Sequence, residues 1–412
     1  MYKILKADRR LLTVLSIVFV QMAGAAMILP ILPLFAERQF HMPPSSVTLL
    51  VSSYFLAQFF AGPYLGQLSD QHGRIPLLII SQLGSAVSFF MMAIAGGPGM
   101  LFAARLVDGI TGGNIIVAQA YITDITPRDR RTEALGYTMA VFGLCFIIGP
   151  ALGGLLSAWL GARMPFVIAG LAAVLTAWMS RTFLNETVTP QPGASRPQVR
   201  ARLTPAEVAR NYPLALILVV AFVGQFGFGM LQSTFALYGS AVIFRTYSQQ
   251  ATNLGVGLLL AVVGLGQFST QTWLISPLKR RFGDALLVIL GTLLRMLGMA
   301  ILAVVASPWL AGVSCAFFAV GMGLMMPPLQ SLATRTVAET NRGAVLGVYQ
   351  SSAGLAIILS TAIAGSIFSL NPALPYWIGA FLSLLVVLPA GALLKLSRQA
   401  RLAPLEVRSH AD

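Results

Sequence analysis

The chain has 412 residues, of which 57% are hydrophobic and only 10% charged, a mean hydropathy of +0.80 and a net charge of +14. Soluble domains give about a quarter of their residues to charge, so a water-soluble fold is excluded. Apolar runs long enough to cross a bilayer as helices recur throughout, and no segment alternates like a membrane β-strand; the expected fold is an all-α membrane protein.

Twelve spans are expected in chain order, at 11–35, 46–69, 76–96, 99–124, 133–159, 163–184, 212–240, 253–275, 284–306, 309–335, 343–369 and 373–397. The first is too long for a signal peptide and no small-residue cleavage site follows it. It carries Gln21. Between spans 2 and 3 lies GQLSDQHGRIP (66–76), where Gly66, Gly73 and Pro76 turn the chain and Asp70 and Arg74 sit at the membrane face. Span 4 holds Arg105 and Asp108, one turn apart, and then Asn114; Asp124 closes it. Of the 13 acids, Asp108 alone falls well inside a span. Charge at that depth costs roughly 2.5–3.5 kcal/mol and marks a functional candidate. Two readings stay open: an acid that takes and releases a proton, its affinity tuned by Arg105, or a permanent ion pair.

Span 5 contains GLCFIIGPALGG (143–154), with Gly143, Gly149, Pro150, Gly153 and Gly154 spaced for close helix approach and a kink. Cys145 and Cys315 lie in apolar runs and read as packing residues. The stretch 185–211 is a proline-bearing linker, and Thr204 three residues before Glu207 forms a capping-box start. In span 7, Gln225 and Gln232 share a face. Span 9 holds Arg295 with no acid nearby in its own span; it is expected to point into an aqueous cavity or to reach Asp108. Gln21, Asn114, Phe142, Phe146, Gln225, Gln232 and Arg295 together suggest an amphiphilic substrate cavity. No His or Cys has metal-ligand spacing, and neither a metal nor a cofactor is expected.

Basic charge suggests nucleic acid, but its placement points elsewhere. Of the 27 Lys and Arg, Arg38, Arg163 and Arg245 fall on one side, Arg105 and Arg295 lie within spans, and the remaining 22 share the side of the termini. This is the positive-inside pattern. It implies a lipid bilayer as partner, no nucleic acid, and both termini in the cytoplasm.

The linker divides the spans six and six, giving expected units at 1–184 and 212–412. DRRTEALGYTMAVFG (129–143) aligns with TNRGAVLGVYQSSAG (340–354) at an offset of 211, and LSDQHG (68–73) with LKRRFG (278–283) at 210. A repeated six-helix unit is the mark of a transporter whose two bundles rock about a central site.

GQLSDQHGRIPLL resembles the G-x-L-x-D-x-x-G-R signature of the major facilitator superfamily, RLVDGITGG (105–113) resembles its span-4 pattern, and GLCFIIGPALGG resembles the motif of its twelve-span drug/proton antiporter branch. AYITDITP (120–127) and AGAAMILPILP (23–33) are similar to the tetracycline-resistance efflux proteins within that branch. The resemblance implies that Asp70 caps a helix of the opposite bundle, near Asn341 to Ala344, and that Arg74 pairs with Asp124, a latch worth roughly 0.3–1 kcal/mol at a helix end. At three positions where the tetracycline antiporters carry acids this chain has Gln21, Ser88 and Arg295, which argues against tetracycline as the substrate. The expected function is proton-coupled export of small amphiphilic compounds, drugs among them, from a bacterial inner membrane by a monomer. The alternatives are export of a specific metabolite such as a sugar or siderophore, or uncoupled uniport. An enzyme is not expected, since HExxH, G-x-S-x-G and paired buried acids are all missing. A channel would need a charged or carbonyl-rich ring motif.

Overall fold

In a bilayer every backbone N–H and C=O must be satisfied within its own segment, so apolar spans fold as helices. The computed structural model describes residues 9–112, 114–127, 131–187, 204–337 and 341–402. The first six spans are α1 (Arg9–Phe40), α2 (Pro44–His72), α3 (Arg74–Ala93), α4 with α5 (Pro98–Thr111 and Asn114–Ile125), α6 (Arg131–Leu160) and α7 (Met164–Phe183). A short linker helix, α8 (Pro205–Arg210), opens with the expected capping box: Thr204 Oγ1 accepts from the Glu207 N–H, and Glu207 accepts from the Thr204 N–H. The last six spans are built from α9 (Tyr212–Tyr238), α10 (Gln249–Ser269), α11 (Ile275–Val304), α12 (Pro308–Thr334), α13 (Arg342–Leu370) and α14 (Leu374–Leu402).

One helical stretch, Gln249–Val304, runs for 56 residues, roughly 84 Å at 1.5 Å per residue and far beyond one bilayer crossing. Gly283, with φ 77° and ψ 166°, breaks it into spans 8 and 9. Its counterpart 210 residues earlier, Gly73, has φ 99° and breaks spans 2 and 3 in the same way. Only glycine adopts such angles without strain. The two breaks give the described chain twelve crossings, as expected, and put α1's start and α14's end on one side, here called the near side.

The outer surface is apolar. Leu370, Leu388 and Trp309, the last 88% exposed, would be costly in water and are at home in lipid. Trp159, Trp309 and Trp377 ring the far ends of their spans, while Trp178, Phe183 and Tyr212 ring the near ends, as interfacial aromatics do. This is a multi-pass membrane protein.

Candidate transport cleft

The two sets of six spans touch chiefly on the far side. There α13 meets α2: the Gly365 N–H donates to Thr48 Oγ1 at 3.0 Å, and Ser52 Oγ donates to the Ile358 carbonyl at 3.1 Å. Beside them α6 meets α10 backbone to backbone. A Cβ at Gly154 would stand 2.6 Å from the Asn253 carbonyl oxygen and 3.3 Å from the Gly257 Cα, and one at Gly257 would stand 2.5 Å from the Pro150 carbonyl oxygen. Small residues permit that approach. Asn253 also bridges the sets, with Nδ2 donating to Ser157 at 2.8 Å and Oδ1 accepting from Arg38 at 2.9 Å.

On the near side the sets part. Gly343 and Gly347, in the first turns of α13, face open space, and Tyr64 near the end of α2 is 68% exposed. Asp70 therefore does not cap α13 in this conformation. Its carboxylate pairs with Arg74 at 2.5 Å; Arg74 in turn reaches Asp124 at 3.0 Å and donates to Ser69 Oγ at 2.7 Å. Gly66 lies against Ile116.

A cavity of about 210 Å³ lies between the sets, walled by Phe146 and Pro150 of α6, Phe228 and Gln232 of α9, Gln267 of α10 and Met322 of α12. Its wall is mainly apolar, with two amides. The Oε1 atoms of Gln232 and of Gln225, one helical face along α9, are buried and have no protein partner among the described residues. Gly143 packs on Phe268, and Phe142 lies among apolar residues of the first six spans. Gly149 and Gly153 pack on α1 at Ala26 and Met27.

Asp108 and Arg105 form an ion pair at 2.9 Å and are 6% and 8% exposed. Three helices build this pocket. Ser85 of α3 lies beside the Asp108 carboxylate, Arg105 lies 4.3 Å over the ring of Tyr54 in α2, and Gln58 ties the Tyr54 hydroxyl to the Gly112 carbonyl. Arg105 Nε has no partner among the described residues.

Two expected cavity residues lie elsewhere. Arg295 is 1% exposed, and neither points into the cleft nor approaches Asp108. Its guanidinium threads between α9 and α12: it donates to the Gly224 carbonyl at 2.5 Å, meets Met325 Sδ at 3.4 Å and stacks 5.2 Å over Phe318. Gly224 and Gly321 leave the room that its long stem needs. Gln21 is also enclosed, accepting from Thr176 Oγ1 at 2.8 Å within the first six spans. The side chain of Asn114 lies outside the described residues, as do 188–203 of the linker.

Three features escaped the sequence reading. The Glu186 carboxylate, from the start of the linker, accepts from the Arg74 and Ile75 N–H groups at 2.8 and 3.0 Å and so caps α3. The absence of a side chain at Gly73 makes room for it, since a Cβ there would stand 2.6 Å from Glu186 Oε2. Arg38, with Asn253 and Ser157, ties the far side. Asp284 pairs with Lys279 at 3.0 Å and Arg335 at 3.1 Å, at the positions equivalent to Arg74 and Asp124 with the signs reversed. The repeat offsets of 210 and 211 were the signal that could have found this last brace.

Comparison with known proteins decides the family. A model described as Major Facilitator Superfamily matches residues 14–245 and 234–410. The chain belongs to the major facilitator superfamily. It is 31% identical over 394 residues to the class C tetracycline resistance protein of Escherichia coli, covering 94% of this chain and 97% of that protein. It is 32% identical to the class G tetracycline resistance protein of Vibrio anguillarum, covering 84% and 86%. Multidrug resistance protein 2 of Bacillus subtilis (strain 168) is 26% identical, with 89% and 90% covered. Two solved structures share the fold: the nucleoside transporter NupG (TM-score 0.75, 14% identity, 94% and 99% covered), and a bacterial homolog of the human lysosomal transporter Spinster in an inward-facing, occupied conformation (0.72, 18%, 94% and 96%). As a superfamily member the protein is a transporter, not an enzyme.

Proposed function

We propose that the protein is a proton-coupled antiporter that exports small amphiphilic compounds, drugs among them, from the cytoplasm of a bacterium by alternating access. The near side is cytoplasmic on the strength of its positive charge, so the conformation described is open inward and shut outward. The two six-span sets, 1–184 and 212–412, act as rocking bodies joined by the 185–211 linker, each protein monomer working alone. Tetracycline and multidrug relatives favour a drug-like substrate, and the apolar, amide-bearing cavity suits a compound with few fixed charges.

The observation that carries the proton coupling is the buried Asp108–Arg105 pair. A carboxylate enclosed by three helices has few ways to stay charged once its cation is lost, and the Tyr54 ring that already lies under Arg105 would continue to hold the guanidinium after Asp108 is neutralised. Protonation of Asp108 frees Arg105; deprotonation recaptures it. Asp70, Arg74 and Asp124 form the inward gate with Gly73 at the break and Gly66, which lies within α2 and does not turn the chain, against Ile116; it closes when Asp70 reaches the amino end of α13. In the motif run of α6, Pro150 and Gly154 form the close-packed seam of the outward gate against α10 and Gly143 meets Phe268, while Gly149 and Gly153 seat α6 on α1 within its own set. Phe146 and Gln232 contact substrate, Gln225 stands on the same face of α9, and Phe142 and Asn114 are further candidates on the strength of the sequence. Gln21 and Arg295 support it from within their own sets.

Asp108→Asn fixes the acid in a neutral form of the same shape. In proteoliposomes the variant should lose pH-gradient-driven uptake of ethidium and keep exchange of ethidium at equal concentrations on both sides. Wild-type driven uptake in the variant would make the pair structural, and gradient-insensitive transport by the wild type would make the protein a uniporter.

A further inference from the structure

Charge is sparse on the far side. The segments there hold Arg38, Arg163 and Arg245 as their only Lys or Arg, and Glu37 as their only acid. Arg163 is occupied within the first six spans, where it donates to the Ala95 carbonyl at 3.3 Å and faces the ring of Phe35. The other two converge. Arg38, at the end of α1, and Arg245, in the segment between α9 and α10, line one cleft of about 490 Å³, a size typical of small-molecule sites.

The remaining polar walls of that cleft are neutral, Gln39, Ser240, Thr252 and Asn253 among them, and no carboxylate lines it among the described residues. Glu37 is Arg38's neighbour in sequence but does not line the cleft. Arg38 spends its guanidinium on uncharged oxygens, Asn253 Oδ1 at 2.9 Å and Ser240 Oγ at 3.2 Å. Arg245 is exposed and makes no ion pair among the described residues. Two cations from opposite sets thus share one polar space whose described lining holds no carboxylate, although Arg38 feels the charge of Glu37 from behind the wall. Guanidinium forks match planar and tetrahedral oxyanions, which they bind by paired hydrogen bonds.

We propose that this cleft is an oxyanion site, binding a carboxylate or phosphate group between Arg38 and Arg245, and that its occupancy holds the far side shut. The second part follows from the first. Each arginine belongs to a different rocking set, so an anion that touches both binds best in the conformation that brings them together. A ligand with such differential affinity shifts the equilibrium toward that conformation. A phosphate of a lipid headgroup and a free oxyanion present the same chemistry. That the site lies on the release side rests on the reading of the near side as cytoplasmic; the binding itself does not.

The test uses the full-length protein in nanodiscs with spin labels on the far ends of α6 and α10, and needs no transport. One arm adds inorganic phosphate, against chloride at equal ionic strength, to phosphatidylcholine discs. A second arm adds no phosphate and replaces part of the phosphatidylcholine with phosphatidylglycerol. Either anion should narrow the far-side distances. Arg245→Gln should raise the half-saturating phosphate concentration, or the phosphatidylglycerol fraction, at least tenfold, and Arg163→Gln should leave it unchanged. A response to lipid alone identifies a headgroup as the ligand, and one to phosphate alone a soluble oxyanion. No narrowing in either arm, or an Arg245→Gln protein that responds like wild type, overturns the proposal. Arg38→Lys, which keeps the charge and loses the fork, should weaken binding while the protein still melts as wild type does; wild-type affinity there would also count against it.

Discussion

Substituting Gly154 by alanine tests whether the α6–α10 seam holds the far side shut. The added Cβ would stand 2.6 Å from the Asn253 carbonyl oxygen and 3.3 Å from the Cα atoms of Leu254 and Gly257. Each of these is backbone, so no side chain can swing aside and the two helices must part. Overpacking of this kind costs about 1–3 kcal/mol. The clash exists only while the far side is closed, so the whole cost falls on that conformation and shifts the equilibrium away from it by roughly 5- to 150-fold. Gly153→Ala is the control. Its Cβ would strike the Met27 backbone inside the first six spans, so it should lower the melting temperature without changing the balance between conformations. Spin labels at the exposed positions 160 and 249 report the far-side separation. Gly154→Ala should populate a longer distance, and Gly153→Ala should keep the wild-type distribution. A folded Gly154→Ala protein with wild-type distances would refute the seam as a gate.

Asp70→Asn should favour the near-side-open form by roughly 0.3–1 kcal/mol, because the closed form loses an anion at the α13 amino end; labels on the loops before α3 and α13 will show whether near-side distances lengthen. Arg295→Met should leave the ranking of ethidium against an anionic dye unchanged, since Arg295 packs between α9 and α12 away from the cleft. Exchanging a buried cation that has no carboxylate partner for an apolar side chain relieves the cost of holding a charge out of water, so thermal melting should not fall; a changed ranking would mean that Arg295 meets substrate in another conformation. Glu186→Ala removes the cap from two N–H groups of α3 and should cost about 1 kcal/mol, read as a lower melting temperature. Glu186→Gln keeps an acceptor and should recover part of the loss; equal melting of all three proteins would show that the contact contributes nothing.

The sequence by itself determined the membrane class, the twelve spans and the family. Those follow from runs of apolar residues, from loop charge and from glycines whose spacing is local. The capping box at Thr204 and the glycine break at Gly73 are also local, decided by a few neighbouring residues, and both were legible. The pairing of Arg105 with Asp108 was readable for the same reason, since three residues along a helix is one turn. Arg295 was misread because depth in a span does not reveal which way a residue faces. Within a bilayer an outward face and a bundle interior are both apolar, so hydropathy cannot distinguish cleft from core. Only tertiary packing showed that Gly224, Met325 and Phe318 close around it. The far-side tie of Arg38 to Asn253 joins residues 215 positions apart, and Glu186 reaches α3 across 112. No periodicity records contacts of that range. Asp70 likewise has the right sequence for a latch, yet its partner in this conformation is Arg74 and not the amino end of α13.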